Sequence, residues 1–265
     1  MSASRELVRI EQKGAVMIIR MVDTETRNSL TNEFREHLGA AVAEAQSEAV
    51  RSVYLTGTGP TFCSGGNLKS LQAESAPWTV HRRFGRLSRW LFPLIALDKP
   101  VVVGVNGHAI GGGMGLALTG DLIIAAESAT FIAGFFRLGV VPDVGVMYHL
   151  PRLIGMARAK QFLFGRGELN ARQAESWGLV SEVVADDQLE STGLAAAERL
   201  AAGPVDAMGL AKTIMAKSFE TSMIDMFGYE GFAQILAMTS PEYHEGLAAL
   251  LAKRKPDFVS SKTKR

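Results

Sequence analysis

The run Val101–Gly115 constrains the fold of this chain more than any other segment. An apolar, β-rich stretch ends there at an Asn-Gly turn and leads into three consecutive glycines, Gly111–Gly113, and a segment, Met114–Thr119, that we predict to be a buried helix. Backbone N–H groups at the start of a helix are unpaired, and glycine lets another group approach them closely. The run therefore predicts an anion or oxyanion site made of backbone N–H groups. The glycines carry no acid, base or nucleophile, so a reactive side chain must come from another segment.

The overall composition excludes several classes of protein. A chain of 265 residues that is 47% hydrophobic can bury one large core, and a net charge of +1 offers no field suited to nucleic acid or an anionic membrane. One cysteine, Cys63, forms no intramolecular disulfide and no cysteine-based zinc site. No apolar run approaches the roughly 18 residues that cross a bilayer. The polar start, Met1–Glu6, lacks the apolar core of a signal peptide, so we predict a cytoplasmic protein without membrane or nucleic-acid partners.

The order of predicted elements indicates an α/β fold with parallel strands, because β-rich runs alternate with helical patterns. The predicted strands are Leu7–Ile10, Val16–Met21, Val53–Gly57, Val101–Val105, Leu122–Ala125 and Val180–Val184. Thr31 and Asn170 are predicted to cap helices.

From about Gln188 the strand signals stop and helical patterns follow one another. The predicted helices are Leu189–Ala202, Val205–Lys217, Thr221–Met238 and Pro241–Lys253. We therefore divide the chain into an α/β core, residues 1–187, and a helical region, residues 188–265, that covers its own core or a neighbouring subunit.

A second glycine-rich turn, within Phe62–Lys69, also follows a β-rich run. One backbone N–H from each turn could converge on a single developing oxyanion. Taken singly, either turn could be only a point of close packing. Neither contains the Gly-Lys-Ser/Thr of a P-loop or the spaced glycines of a dinucleotide site, so phosphate cradling of those kinds is not indicated.

Five segments in their order and spacing resemble the enoyl-CoA hydratase/isomerase (crotonase) superfamily over nearly the whole chain. They are Arg27–Leu30, Phe62–Leu71, Val101–Asp121, Leu138–Pro142 and Glu245–Phe258. The resemblance implies a spiral of ββα units followed by helices, assembled as a homotrimer or a pair of trimers. It also implies an acyl-CoA substrate of the kind found in fatty acid metabolism, with coenzyme A as part of the substrate and neither a separate cofactor nor a metal.

The same resemblance assigns roles to residues of both turns. The backbone N–H groups of Gly66 and Gly112 would hold the thioester oxygen and stabilise an enolate-like intermediate. The substrate contacts it implies are Arg27, Ser64, Gly65, Asn67, Lys69, Gly111, Met114, Phe135, Lys255 and Phe258. Lys255 and Phe258 would reach a coenzyme A across a subunit boundary, and Lys69 could equally be a surface lysine.

The chain departs from the family at two catalytic positions. Members that add water to a double bond carry one glutamate just after the glycine triplet and another about twenty residues later, where this chain has Gly115 and Phe135. Water addition needs a positioned base and a proton donor, and neither residue supplies one. We therefore predict that the two-glutamate hydratase mechanism is absent.

One carboxylate remains well placed for catalysis, that of Asp143, at a position where some isomerases of the family carry a catalytic aspartate. Apolar neighbours such as Val140 and Val144 would desolvate this carboxylate and raise its pKa. We expect Asp143 to be the acid and base of a double-bond isomerase. As an acid that follows a proline, it could instead cap the next segment.

Two other functions stay open. Aryl-CoA dehalogenases of the family use an aspartate at this position as a nucleophile, so Asp143 could act in a dehalogenase or hydrolase on an aryl- or keto-acyl-CoA. Those enzymes also supply a histidine where this chain has Ser88, and His81 lies two turns earlier in a segment rich in arginine. The third hypothesis is a scaffold that binds acyl-CoA without chemistry.

Overall fold

The computed structural model describes residues 5–73 and 76–261, so the outer ends of both predicted regions lie outside the described residues. Ten strands follow one another along the chain. They are β1 Val8–Lys13, β2 Val16–Met21, β3 Ser52–Gly57, β4 Thr61–Cys63, β5 Val101–Val105, β6 His108–Ile110, β7 Leu122–Ala126, β8 Thr130–Ile132, β9 Glu168–Asn170 and β10 Glu182–Val184.

Thirteen α-helices are described, and they surround the strands. They are α1 Asn32–Glu44, α2 Leu68–Ala73, α3 Pro77–Gly85, α4 Leu91–Ile95, α5 Gly112–Ala117, α6 Val146–Ile154, α7 Met156–Phe164, α8 Ala171–Ser176, α9 Leu189–Ala201, α10 Val205–Met215, α11 Met223–Met238, α12 Pro241–Leu251 and α13 Phe258–Ser261. Both predicted caps are confirmed, since the Thr31 and Asn170 side chains accept the N–H groups of Phe34 and Gln173.

The strands form two sheets that share a repeating unit. The larger sheet has the order β1-β2-β3-β5-β7-β10 and is parallel except for the β1–β2 hairpin, and the smaller has the order β4-β6-β8-β9. β3, β5 and β7 of the larger sheet are each followed by a strand of the smaller sheet and then by a helical segment. This repeat is the predicted spiral of ββα units.

The smaller sheet determines where the glycine turns lie. β4, β6 and β8 run parallel, with Cys63 opposite Ala109 and Ile110 opposite Ile132. Because the carboxyl ends of parallel strands meet at one edge of a sheet, the segments that follow these strands share that edge. The two glycine turns therefore come together, as the sequence predicted.

One part of the helical C-terminal region packs on the core of the protein, and another part is exposed. α9 packs on the larger sheet, and the Arg51 side chain donates to the Ala201 and Gly203 carbonyls and pairs with the buried Glu242 carboxylate of α12. α11 has no buried residue, although its sequence is largely apolar. Part of the region covers its own core, and part leaves an apolar face exposed.

The structure differs from the prediction at the glycine triplet. α5 begins at Gly112, inside the triplet, rather than at Met114, and the three-residue strands β4, β6, β8 and β9 were not predicted.

No described helix combines the length and the apolar character that crossing a membrane requires.

Candidate active site

The two glycine turns touch through their backbones. A Cβ atom built on Gly65 would lie 2.4 Å from the Ile110 carbonyl oxygen and 3.0 Å from the Gly112 nitrogen, and one built on Gly113 would lie 2.1 Å from the Cys63 oxygen. Gly65 also has a φ of +75°, which disfavours a side chain. Only glycine allows the turns to approach this closely, so they form one site.

Two N–H groups at this junction are available to a ligand. Among the described residues, neither the Gly66 nor the Gly112 N–H has a hydrogen-bond acceptor, whereas the neighbouring Gly111 N–H donates to the Ile132 carbonyl at 2.8 Å. Gly112 is the first residue of α5, where a helix leaves its N–H groups unpaired. The oxyanion role predicted for this pair requires N–H groups that are unpaired in this way.

The third part of the site is the segment that precedes α6. Val144 and Gly145 have φ angles of 51° and 78°, and a positive φ is costly for a β-branched residue such as Val144. This turn brings the Asp143 carboxylate to the glycines, because its Oδ1 lies 3.7 Å from a Cβ built on Gly112. The backbone strain at Val144 thus accompanies the placement of the carboxylate beside Gly112.

The same turn explains why position 115 is a glycine. A Cβ built on Gly115 would lie 2.4 Å from the Val144 carbonyl oxygen and 2.9 Å from the Val144 Cβ. The space that a hydratase glutamate would enter is filled by the backbone that carries Asp143. A glutamate side chain at position 115 and the observed position of the turn that carries Asp143 therefore exclude one another.

The Asp143 carboxylate is half-buried, and its burial and the nearby arginines shift its pKa in opposite directions. Burial raises the pKa of this carboxyl above its ordinary value, while the guanidinium groups of Arg83 and Arg35 act in the opposite direction. α6 begins after Gly145, which has no side chain that could cap the helix. The Val146 N–H donates to the Asp143 backbone carbonyl rather than to its carboxylate. The capping role considered for Asp143 is thus not what its side chain does.

The predicted coenzyme A contacts of the first turn lie together. The Ser64 N–H donates to the Arg27 carbonyl at 3.0 Å, and Asn67 caps α2 through the Ser70 N–H. Lys69 and Arg27 are exposed, and Arg27 lines a cavity of about 290 Å³ with Pro60 and His108.

The remaining predicted contacts divide into two groups. The Phe135 ring lies 3.8 Å from a Cβ built on Gly111, so it borders the triplet, whereas Met114 is fully buried and packs in the core of the protein. Lys255 is exposed, and the Phe258 ring packs against Gly246 of α12. Within a single chain, Phe135 borders the glycine triplet, whereas the segment that holds Phe258 mainly contacts α12.

Other side chains considered from the sequence have local partners or are buried. The Ser88 hydroxyl donates to the Gly85 carbonyl at 2.9 Å, and the exposed His81 packs edge-on against Trp78. Burial raises the pKa of the Cys63 thiol to about 12, as expected for a packing residue rather than a nucleophile.

Sequence reasoning missed Arg35 and Arg83 as neighbours of Asp143. Arg83 had a signal, since the segment Ala76–Leu97 holds four arginines and no acid. Arg35 had none, because only the packing of α1 beside the glycine edge places it there.

Comparison with known proteins agrees with this geometry. The sequence profile of the enoyl-CoA hydratase/isomerase family matches residues 11–261. A 1,2-epoxyphenylacetyl-CoA isomerase of Escherichia coli is 38% identical over 94% of this chain and 96% of the relative. A probable enoyl-CoA hydratase of Rhodobacter capsulatus is 35% identical over 97% and 99%.

A solved structure shows the same fold along the whole chain. The enoyl-CoA hydratase/isomerase of Cupriavidus metallidurans superposes with a TM-score of 0.90 at 32% identity and covers 97% of both chains. The converging glycine turns, the ββα spiral and these matches lead to one conclusion. The chain belongs to the enoyl-CoA hydratase/isomerase (crotonase) family, whose members act on acyl-CoA thioesters.

Proposed function

We propose that this protein is an isomerase that shifts a double bond in an acyl-CoA thioester. The Asp143 carboxylate removes a proton from C2 of a 3-enoyl thioester, and the electron pair moves onto the carbonyl oxygen to give a dienolate. The N–H groups of Gly66 and Gly112 stabilise that oxygen. Asp143, now protonated, returns its proton at C4, and the product is the 2-enoyl thioester.

The observation that carries the proposal is the position of Asp143 beside Gly112. An acid within 3.7 Å of the Cβ position of an oxyanion donor can reach the carbons next to the thioester carbonyl. Burial, which raises the pKa of Asp143, favours a group that both takes and returns a proton. The relative from Escherichia coli, which is named an isomerase, supports this reading.

Hydration fits the same residues less well. Adding water requires a second acid–base group to hold the water, and positions 115 and 135 hold Gly115 and a buried Phe135. The Rhodobacter capsulatus relative is named a probable hydratase, so the name alone does not decide between the reactions.

The test is an assay of matched 3-enoyl- and 2-enoyl-CoA substrates with the purified protein. We expect the double bond of the 3-enoyl substrate to move into conjugation with the thioester. We expect no 3-hydroxyacyl-CoA from the 2-enoyl substrate above the uncatalysed background. Hydration at ordinary enzyme rates would overturn the proposal.

The acidic limb of the pH–rate profile is expected to respond to Arg83. Asp143 must be ionised to remove the C2 proton, so kcat/KM rises with pH through the pKa of this carboxyl, which lies above its ordinary value. Arg83 favours the ionised form, so Arg83→Met should raise that pKa further and move the limb to higher pH. Arg82→Met on the same helix is the control, and a limb that moved equally in both variants would contradict the assignment.

An Asp143-dependent dehalogenase or hydrolase is the second candidate within enzymes. It would use Asp143 as a nucleophile, but Ser88 stands where the dehalogenases supply a histidine, and its hydroxyl is bonded to its own helix segment. A covalent aspartyl intermediate trapped with an aryl-CoA and detected by mass spectrometry would favour this candidate. Binding of every thioester without turnover would favour the silent scaffold.

Coenzyme A would bind along the first glycine turn as part of the substrate, and the proposal needs no separate cofactor. Arg27 and Lys69 flank this turn with exposed cationic side chains, which suits phosphate or ribose oxygens. The cavity beside Arg27 offers room for part of the nucleotide. A cytoplasmic location stays a prediction.

The exposed face of α11 is proposed to form a homotrimer. Most of its large apolar side chains are more than half exposed in the single chain, with Phe232 at 73% and Ile224 at 80%. Apolar surface of this extent is typical of a subunit interface. Light scattering coupled to size exclusion is expected to give the mass of three chains or of six, and Phe232→Glu should release monomers. A monomeric wild type would contradict the proposal.

A further inference from the structure

A second cavity lies against helix α1 and has no role in the chemistry above. Helix α1 and the segment Arg86–Trp90 enclose about 240 Å³. We call it the arginine cavity, and the residues that matter for its chemistry are Arg35, Glu36, Arg86, Arg89 and Trp90.

The wall of the arginine cavity has an excess of positive charge. Three guanidinium groups face a single carboxylate, that of Glu36. Among the described residues, Arg86 and Arg89 form no ion pair with a carboxylate, and the segment Ala76–Leu97 contains no acid that could supply one. A positively charged concave surface of this kind favours an anion.

A buried donor in the same wall is a separate observation. Trp90 lines the arginine cavity and is only 1% exposed. Its indole N–H is buried and has no acceptor among the described residues. Buried N–H groups in folded proteins nearly always have an acceptor, so an unpaired one is a costly feature of this wall.

The arginine cavity adjoins the proposed active site through Arg35. Arg35 lines the cavity, and its guanidinium also lies near enough to Asp143 to lower the pKa of that carboxyl. Arg83, on the helix that leads into Arg86, influences Asp143 in the same way. The cavity and the Asp143 carboxylate therefore share Arg35 as a neighbour.

We propose that the arginine cavity binds a carboxylate at the far end of the acyl group, so that the protein prefers thioesters of dicarboxylic acids. Planar guanidinium groups match a carboxylate with two parallel hydrogen bonds, and Arg86 and Arg89 supply them from one segment. A methyl-terminated chain would leave these groups without a partner. The direction of the acyl chain rests on the proposed function, but binding to the cavity does not require turnover.

The test compares thioesters that differ only at their far end and cannot isomerise. Calorimetry would measure the dissociation constants of hexanoyl- and octanoyl-CoA and of the mono-CoA thioesters of hexanedioic and octanedioic acid. We expect the wild type to bind at least one dicarboxylic thioester about tenfold more tightly than its matched partner, as one charge-assisted pair can supply. Equal affinities at both chain lengths would overturn the proposal.

Variants locate the effect. Arg86→Met with Arg89→Met should abolish the preference, and Arg199→Met on α9, which removes a charge of the same kind elsewhere, should preserve it. A preference that survives the double variant would overturn the proposal. So would an equal loss of affinity for coenzyme A alone, since the arginines would then be bound to its phosphates.

Turnover separates this inference from the proposed function. Isomerisation of 3-octenoyl-CoA together with equal affinities in the calorimetry would refute the arginine cavity and leave the isomerase intact. A clear preference for dicarboxylic thioesters without turnover of any enoyl-CoA would support the cavity and refute the isomerase.

Discussion

Asp143→Asn is expected to lower kcat/KM for the isomerisation of a 3-enoyl-CoA by about 10²–10⁴-fold, the usual contribution of a positioned acid–base group. The amide keeps the size of the side chain beside Gly112 but cannot take the C2 proton. Substrate affinity should change little, because the oxyanion donors are backbone groups of Gly66 and Gly112. Steady-state kinetics and the dissociation constant of a saturated thioester measure the two quantities separately.

The stability of the same variant is its control. Burial raises the pKa of Asp143 in the folded state, so the folded state holds this proton to higher pH than the unfolded chain does. The free energy of unfolding therefore falls as pH rises through that interval, and the cost is fully present above the folded-state pKa. Asp143→Asn removes it, so we expect a melting temperature at neutral pH that is unchanged or higher. Unchanged activity in this folded variant would remove Asp143 from the mechanism.

Gly115→Glu is expected to abolish isomerisation without creating a hydratase. It restores the glutamate of hydratases in sequence, but its Cβ would lie 2.4 Å from the Val144 oxygen, so the turn that holds Asp143 must move. Such overpacking costs about 1–3 kcal/mol of stability or more, and the displaced carboxylate loses its acid–base contribution of about 10²-fold or more. Thermal unfolding and the two enoyl-CoA assays test this expectation.

A matched pair of alanine variants isolates the steric part. Gly115→Ala meets the Val144 oxygen and should destabilise the protein, whereas Gly85→Ala at the end of α3 meets nothing within 4 Å and should be neutral or stabilising. Hydration activity in Gly115→Glu, or equal melting temperatures for the alanine pair, would show that the Val144 backbone does not block this position.

The central strands of the larger sheet could be predicted because they are largely apolar runs. Val101–Val105 and Val53–Gly57 are buried on both faces, as parallel strands between helices are. The smaller sheet could not, since strands of three residues such as Thr61–Cys63 have no readable alternation. Their pairing with distant strands is a property of the spiral, and local sequence does not carry it.

The site shows the same division between local and distant information. The glycine turns are a local signal of close backbone approach, but the resemblance to the family is what singled out Gly66, Gly112 and Asp143 as candidates. Met114 was expected to contact the substrate, but the first turn of α5 directs it into the core. Arg35 and the filled space at Gly115 depend on how α1 and the Val144 turn pack, which no spacing reveals.

The most direct test follows the product formed from a 3-enoyl-CoA by the wild type and by Asp143→Asn, with ultraviolet absorbance reporting conjugation of the double bond with the thioester and mass spectrometry reporting added water. The account predicts that the wild type gives a 2-enoyl-CoA of unchanged mass, and that the variant gives almost none in the same time. A wild-type product heavier by one water molecule and formed at enzyme rates would contradict it, as would a double-bond shift of equal rate in the variant.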